Sequence, residues 1–399
     1  MLLIRCKMML RDFLDLPKGA RKLIMYYAIS MFDSVGFFVV FYMFALGFTV
    51  ITIGALYSYL LILTAVLELV FGRLIDIKLP PKYLMIIVEI LGSIYWLMLY
   101  YAKTLLDFVI LYSFSAIIGI FMVAYRPIER DLYPQDRLDM AYKHHMFWPY
   151  FAQFVLVLIY GYILQYDFLG VFKTLMVFAA VMCVLRALYI MLYIPKTKPI
   201  IRKDEEQAMG KQSLPRSLLW IMSAEILMVV AFDIAPTFIL ANYLFNIIRA
   251  DIFRISLIYS LGGLMGALSA MMYDKARRIS GYNTIYISIL ALGVFPLIIY
   301  YSQYTEYSFL IILLAMLITY FFWPIWWIIH EVIIMRSVPS NLRGTIFGAL
   351  SATKTILVIP LPILAALLAS INPLTPFLAQ AILFLMLMPL YHQALKGLQ

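Results

Sequence analysis

Residues 195–216 read PKTKPIIRKDEEQAMGKQSLPR. This is the longest polar stretch in the chain, and it interrupts a sequence otherwise built from apolar runs. Lys and Arg fall almost entirely in the gaps between those runs. The chain is 65% hydrophobic and only 13% charged, with a mean hydropathy of +0.95. A water-soluble domain cannot bury that much apolar surface. An apolar run of about 20 residues is the length that crosses a bilayer as a helix. Six such runs precede the polar stretch and six follow it, so the expected fold class is an all-α membrane protein with twelve transmembrane helices.

The spans are predicted at 23–47, 50–72, 83–102, 105–126, 145–165, 169–194, 217–241, 252–272, 282–301, 307–333, 344–368 and 373–392. Gly47 and Thr49 divide the first pair, and Asn372-Pro373 divides the last. The basic residues set the orientation. With the N-terminus inside, 25 of the 31 Lys and Arg lie in cytoplasmic segments and four in outside segments, while Arg186 and Lys354 lie within spans. That asymmetry places both termini in the cytoplasm. It also accounts for the net charge of +10 without nucleic acid, because the basic residues face the anionic inner surface of the membrane. The first apolar run is too long for a cleavable signal peptide and has no small-residue cleavage site, so an integral protein of the plasma membrane is expected. Cys6 is placed in the cytoplasm and Cys183 in a span, so no disulfide is expected.

The polar stretch reads as a cytoplasmic linker, 195–216, between a six-helix bundle at 1–194 and a second at 217–399. The two halves read as diverged copies. The first span of each carries Phe-Asp, at Phe32-Asp33 and Phe232-Asp233. The second span of each ends in an Asp, Asp76 or Asp274, after gaps of 43 and 41 residues. The loop after the fourth span of each holds Pro then Arg, Pro134 to Arg137 and Pro339 to Arg343. Internal duplication is a common construction for transporters.

Gly72-Arg73-Leu74-Ile75-Asp76 resembles the start of the G-x-L-A-D-R-x-G-R-K signature of the major facilitator superfamily. Ile77, Leu79 and Pro80 depart from it, although Lys78 and Lys82 keep the loop basic. In the second half Ala270, Asp274, Lys275 and Arg278 resemble the other end of the pattern, with Arg277 in place of Gly. Val338-Pro339 followed by Arg343-Gly344 is similar to the family's approach to helix 11. The resemblance implies two pseudo-symmetric six-helix bundles and secondary active transport of a small organic solute by alternating access. It also implies that helices 1, 4, 7 and 10 line a central cavity, that 2, 5, 8 and 11 flank it, and that 3 and 6 are peripheral neighbours.

Small and acidic residues recur every four positions on three spans: Thr64, Glu68, Gly72 and Asp76; Gly262, Gly266, Ala270 and Asp274; Gly344, Gly348 and Ala352. Residues four apart share a helix face, and small ones permit close approach in lipid. Ordinary tight packing explains such stripes. A conformational latch between the halves, made by Gly72, Asp76, Asp274, Arg278 and Arg343, explains them as well. In that reading span 2 meets span 11 and Asp76 lies at the positive N-terminus of span 11.

Ionisable residues within spans are costly and face a cavity or a partner. Asp33 and Lys354 each sit roughly 15 Å from a cytoplasmic helix end, near mid-membrane. On the helix arrangement that the resemblance implies, Asp33, Glu225, Asp233, Glu68 and Lys354 are candidates for a proton-coupling and substrate cavity, with a purely structural Asp–Lys pair as the competing reading. Glu89 and Arg186 share a similar depth on spans 3 and 6, which the resemblance makes neighbours, and are expected to form a structural ion pair. Trp323 and Trp327 lie mid-span beside Pro324, where an aromatic wall would suit an organic solute.

No Walker, HExxH or G-x-S-x-G motif is present. Ser351-Ala352-Thr353-Lys354 matches S-x-x-K only in mid-span and without companion motifs. His144-His145 are adjacent and point about 100° apart on a helix, so no metal site is expected there. The expectation is a non-enzymatic, proton-coupled transporter working as a monomer without cofactor, its partners being solute, protons and lipid. An intramembrane lipid-modifying enzyme and a non-transporting sensor or scaffold are the alternatives.

Overall fold

A computed structural model describes residues 9–75, 80–122, 125–196, 216–280, 283–338 and 343–396. Among these residues there is no strand. Twelve helices are long and apolar enough to cross a membrane. They are α1 Lys18–Ala45, α2 Val50–Leu67, α3 Pro81–Tyr101, α4 Leu105–Leu132, α5 Gln135–Leu164, α6 Phe168–Tyr193, α7 Arg216–Ile247, α8 Ile252–Arg278, α9 Asn283–Ser302, α10 Ser308–Met335, α11 Ala352–Ile371 and α12 Thr375–Lys396.

The number agrees with the sequence reading, and several ends differ for local reasons. The turn between α1 and α2 is where Gly47 predicted it. Gly47 adopts φ +87°, and the chain closes through Gly47 N–H to Phe44 O and Phe48 N–H to Met43 O, a left-handed helix stop that suits glycine. Thr49 then caps α2 by accepting from Thr52 N–H at 3.2 Å. By contrast α5 begins ten residues before the predicted start, because Gln135–Arg137 form a 3-10 turn that runs directly into Leu138–Leu164. Helix also continues beyond the predicted end of α4, over Tyr125–Leu132. Pro127 lies in the first turn of that segment, where a missing N–H costs no intrahelical bond.

Two spans break in mid-course at matching places. Within α1, the α-helix Lys18–Ser30 gives way to a 3-10 helix over Met31–Phe38 and resumes at Val39–Ala45. Within α7, the α-helix Arg216–Asp233 stops, Pro236 caps a new start at Thr237–Asn242, and a π turn follows at Tyr243–Ile247. Asp33 lies in the first break and Asp233 at the edge of the second.

The chain divides into two compact units. One is Met1–Tyr42, Leu69–Ile200 and Ala250–Ala276; the other is Met43–Glu68, Ile201–Arg249 and Arg277–Gln399. In the first, α3 lies along α6 and α1 packs on α5 and α6. One side of α6 is buried through Phe172, Met176, Ala179, Cys183 and Ile190, while Val181, Val184, Leu188 and Leu192 are exposed. Both sides are apolar, as a helix between protein and lipid requires. Helix α8 lies so close on α5 that a Cβ on Gly263 would come within 2.7 Å of Phe154 N and 2.8 Å of Tyr150 O. Ser260 Oγ donates to Phe154 O and Gln153 Nε2 to Tyr259 O across the same contact.

In the second unit α9 packs against α10 and α12, and α7 against α11 and α12. Helix α2 meets α11 through its first turns, at Gly54 and Ser58. A Cβ on Gly54 would come within 2.7 Å of Pro362 O. Ser58 Oγ accepts from Ile363 N–H at 3.2 Å. The reason is a break in α11 before Leu361–Ile371. First-turn N–H groups have no partner in their own helix, so Ser58 caps α11 from its neighbour.

Candidate functional site

Three spans of the first unit bring ionisable side chains to one place. Arg186 comes from the buried side of α6, Glu89 from α3 and Asp33 from the 3-10 break in α1. Arg186 Nε donates to Glu89 Oε2 at 2.9 Å, and its Nη2 is 2.7 Å from the same oxygen. Nη2 also donates to the Asp33 carboxylate and to Cys183 Sγ at 3.1 Å. Nη1 donates to Ser30 O, the carbonyl of the last α-helical residue before the break, at 3.3 Å. Charge-assisted bonds of this kind are the strong ones, and the fork of guanidinium donors suits two carboxylates at once.

A ring of tyrosines extends the network. Tyr26 OH donates to Glu89 and pairs with Tyr125 OH at 2.8 Å. Tyr27 OH donates to Glu129 Oε1 at 2.7 Å. These groups border a cavity of about 560 Å³ that Tyr95, Trp96 and Met122 also line. That volume falls within the roughly 300–1,000 Å³ of small-molecule sites.

The second unit holds its own polar cluster. Lys354 Nζ donates to Glu225 Oε1 at 2.5 Å. His330 Nε2 lies 3.7 Å from Glu225 Oε2, and His330 Nδ1 bonds Tyr391 OH at 2.6 Å. The His330 ring stacks on Trp326 at 4.7 Å, and Trp326 stacks on Trp323 at 5.1 Å. Trp323 meets Phe232 edge-on at 4.4 Å. Trp327 is half-buried on the same helix. An aromatic column thus runs through Trp323 and Trp326; in a helix apolar all round, periodicity does not single out one tryptophan.

The remaining candidates are placed as follows. Glu89 and Arg186 are paired, Asp33 lines the cavity, and Asp33 also joins the pair through Arg186, so the three form one network. Asp33 and Lys354 fall in different units. Asp233 carries no hydrogen bond or ion pair among the described residues. Asp274 lies 2.8 Å from Lys143, which also reaches Asp12 at 3.0 Å. Arg278 is exposed. Asp76, and the side-chain surroundings of Glu68, Gly72 and Arg343, lie outside the described residues. Among the described residues no cluster of three or more His, Cys, Asp or Glu is placed to hold a metal.

Curated proteins give no match. Solved structures give many of the same fold. A bacterial homologue of the iron transporter ferroportin in its inward-facing state aligns with TM-score 0.66 at 15% identity, over 94% of this chain and 98% of that one. The human organic anion transporter MFSD10 aligns with TM-score 0.63 at 15% identity, over 94% and 98%. The nucleoside transporter NupG aligns with TM-score 0.57 at 16% identity, over 93% and 98%. These likenesses concern the fold, and the cargoes named for the three proteins differ in kind. A sequence profile of the family matches residues 23–362, and the chain belongs to the Major Facilitator Superfamily of membrane transporters.

Proposed function

We propose that the chain is a secondary active transporter that moves a small organic solute across the plasma membrane by alternating access, coupled to protons. The observation that carries this reading is the cavity of about 560 Å³ bordered by Asp33, Glu89, Arg186 and tyrosines. It lies within apolar spans, where charged groups are costly and mark a pathway. Protonation of Asp33 removes one of the two charges that hold Arg186. It thereby frees the broken part of α1 from α6, a chemical step linked to a helix movement. Asp233, at the matching break and without a partner, is the second proton site. Glu225, Glu68 and Lys354 belong to the same proposed set, with Trp323 and Trp327 as aromatic contacts for the solute.

The transporter works as a monomer with both termini in the cytoplasm, its two six-helix bundles joined through 195–216. Gly72, Asp76, Asp274, Arg278 and Arg343 form the conformational latch, with Asp274 acting through Lys143. The test is solute-driven proton flux in proteoliposomes carrying an internal pH-sensitive dye, screened over a compound library. Asp33→Asn is expected to abolish that flux. Flux that survives in Asp33→Asn with unchanged pH dependence would return Asp33 to a structural role.

A further inference from the structure

We propose that the first unit carries a binding site for an acidic phospholipid, with Lys173 contacting its phosphate. The inference needs the membrane-spanning fold and no part of the transport reading above.

The site is a groove of about 580 Å³ where the last turn of α3 meets the start of α6, lined by Tyr100, Gly170, Lys173, Thr174, Val177 and Phe178. Lys173 follows Phe168, the first residue of α6, by five positions, roughly 8 Å of helix. At that depth a lysine stem crosses apolar surface while its ammonium reaches the headgroups. Lys173 is half-buried, and among the described residues its ammonium has no ion pair and no hydrogen bond. Its contact is the ring of Tyr100, with Nζ 5.8 Å from the centroid. A ring takes up one side of an ammonium and leaves its other donors free. The acids at the neighbouring helix ends are engaged as caps. Asp167 accepts from Gly170 N–H at 3.1 Å at the start of α6. Asp107 accepts from the N–H groups of Lys103 and Thr104 at 2.9 and 2.7 Å at the start of α4. Thr174 Oγ1 gives its proton to Gly170 O at 3.2 Å. The groove therefore offers one cation to a ligand, and the carboxylate nearest in sequence, Asp167, is offset by a helix N-terminus.

The body of the ligand is set by what lies beyond the lysine. Val177 and Phe178 are exposed apolar walls of the groove, and Val181 and Leu185 continue exposed along α6. On α3, which lies along α6, Leu97 and Ile94 are exposed too. From Lys173 to Leu185 is roughly 18 Å of helix, close to the half-thickness of about 15 Å that an acyl chain fills. A small free anion would use the ammonium and nothing else, so an anion with a long apolar tail is the better fit. A zwitterionic headgroup brings its own cation beside Lys173, so an acidic lipid is preferred.

The experiment titrates phosphatidylglycerol and phosphatidylcholine of identical acyl chains into the purified full chain in detergent. Native mass spectrometry counts the bound lipids and gives the affinity of the first. Tighter first binding of phosphatidylglycerol is expected. Lys173→Gln should weaken that step by roughly fivefold, the scale of one lysine at a charged membrane surface, and leave phosphatidylcholine as it was. Lys173→Arg should retain the preference. Lys103→Gln removes an exposed cation outside the groove and should change little. Equal affinity for the two lipids in the unaltered protein would overturn the proposal without any variant. So would a preference that survives Lys173→Gln, or one that falls equally in Lys103→Gln, the mark of a diffuse charge effect. Glycerol phosphate, a headgroup without chains, should not compete. Displacement of phosphatidylglycerol by it at matched concentration would make this a site for a free anion and overturn the lipid assignment.

Discussion

Arg186 should be the most costly residue of the cavity to remove, and the cost of its neighbours should follow their burial. The side chain of Arg186 is 3% exposed, that of Glu89 4% and that of Asp33 34%. Arg186→Gln leaves two carboxylates in a low-dielectric site without their cation. Breaking a buried pair by removing one partner costs about 3–5 kcal/mol. At the lower end of the 2–4 °C per kcal/mol seen for larger domains, that is a fall in Tm of roughly 6–10 °C. Glu89→Gln should cost less, about 1–3 kcal/mol, because Asp33 still balances Arg186 and the Gln oxygen can still accept from Nε. Asp33→Asn should cost least, since water screens the exposed arm of the network. The order of loss is therefore Arg186→Gln, then Glu89→Gln, then Asp33→Asn. Adding Glu89→Gln and Asp33→Asn to Arg186→Gln should restore much of the Tm, because the orphaned charges are gone. The assay is thermal unfolding of the detergent-purified protein, followed by fluorescence or by loss of the monodisperse peak. Strictly additive losses, or Asp33→Asn as the worst single change, would show that the three do not act as one network.

Other outcomes follow from single contacts. Ser58→Ala strips the cap from Ile363 N–H and should cost about 1 kcal/mol, read as a lower Tm; full stability would mean that another group takes the bond. Gly263→Ala pushes a methyl into the α5 backbone and should destabilise by about 1–3 kcal/mol, whereas Gly47→Ala should act through backbone strain at φ +87° alone. Lys143→Gln should lower stability more than Asp274→Asn, because Lys143 is buried and Asp12 remains to hold it when Asp274 is neutral. Similar losses in the two variants would discount the shared contact. Asp233→Asn should leave Tm nearly unchanged, since no partner is lost, while altering solute-driven proton flux; a fall like that of Glu89→Gln would reveal a bonded Asp233.

The twelve spans were legible because the bilayer tolerates so few alternatives. A helix must satisfy its own backbone, and a crossing needs about 20 apolar residues. The turn at Gly47 and the stop at Asn372-Pro373 were legible for equally local reasons. The breaks were less so. Pro236 announces the one in α7, but α1 carries no proline, and Ser34 with Gly36 does not distinguish a 3-10 segment from ordinary helix. Glu129 stayed hidden because the fourth span was ended at residue 126, yet a first-turn proline such as Pro127 is compatible with a helix that goes on. Side-chain partners were the hardest part. Helix rise gives Glu89 and Arg186 a shared depth, but depth alone cannot show that Arg186 has a second carboxylate, or that Lys354 chooses Glu225 over a more distant acid.

The two halves keep the same backbone device and differ in what they attach to it. Each places Phe-Asp where its first span departs from α-helix, a conformation that in mid-helix often marks a hinge. In the first half the Asp is tied to α6 through Arg186. In the second the Asp has no partner among the described residues, and the charge pair lies eight residues earlier on α7 at Glu225, roughly 12 Å away along the axis. The breaks match in the two halves, while the ion pairs sit at different places. A break retained without its ion pair is not explained by electrostatic stability. It is explained if the break itself moves, since a helix that has already surrendered its regular bonds can bend there at little further cost. On the proposed mechanism the ion pair at the first break sets when it bends, whereas at the second no partner of Asp233 is found among the described residues.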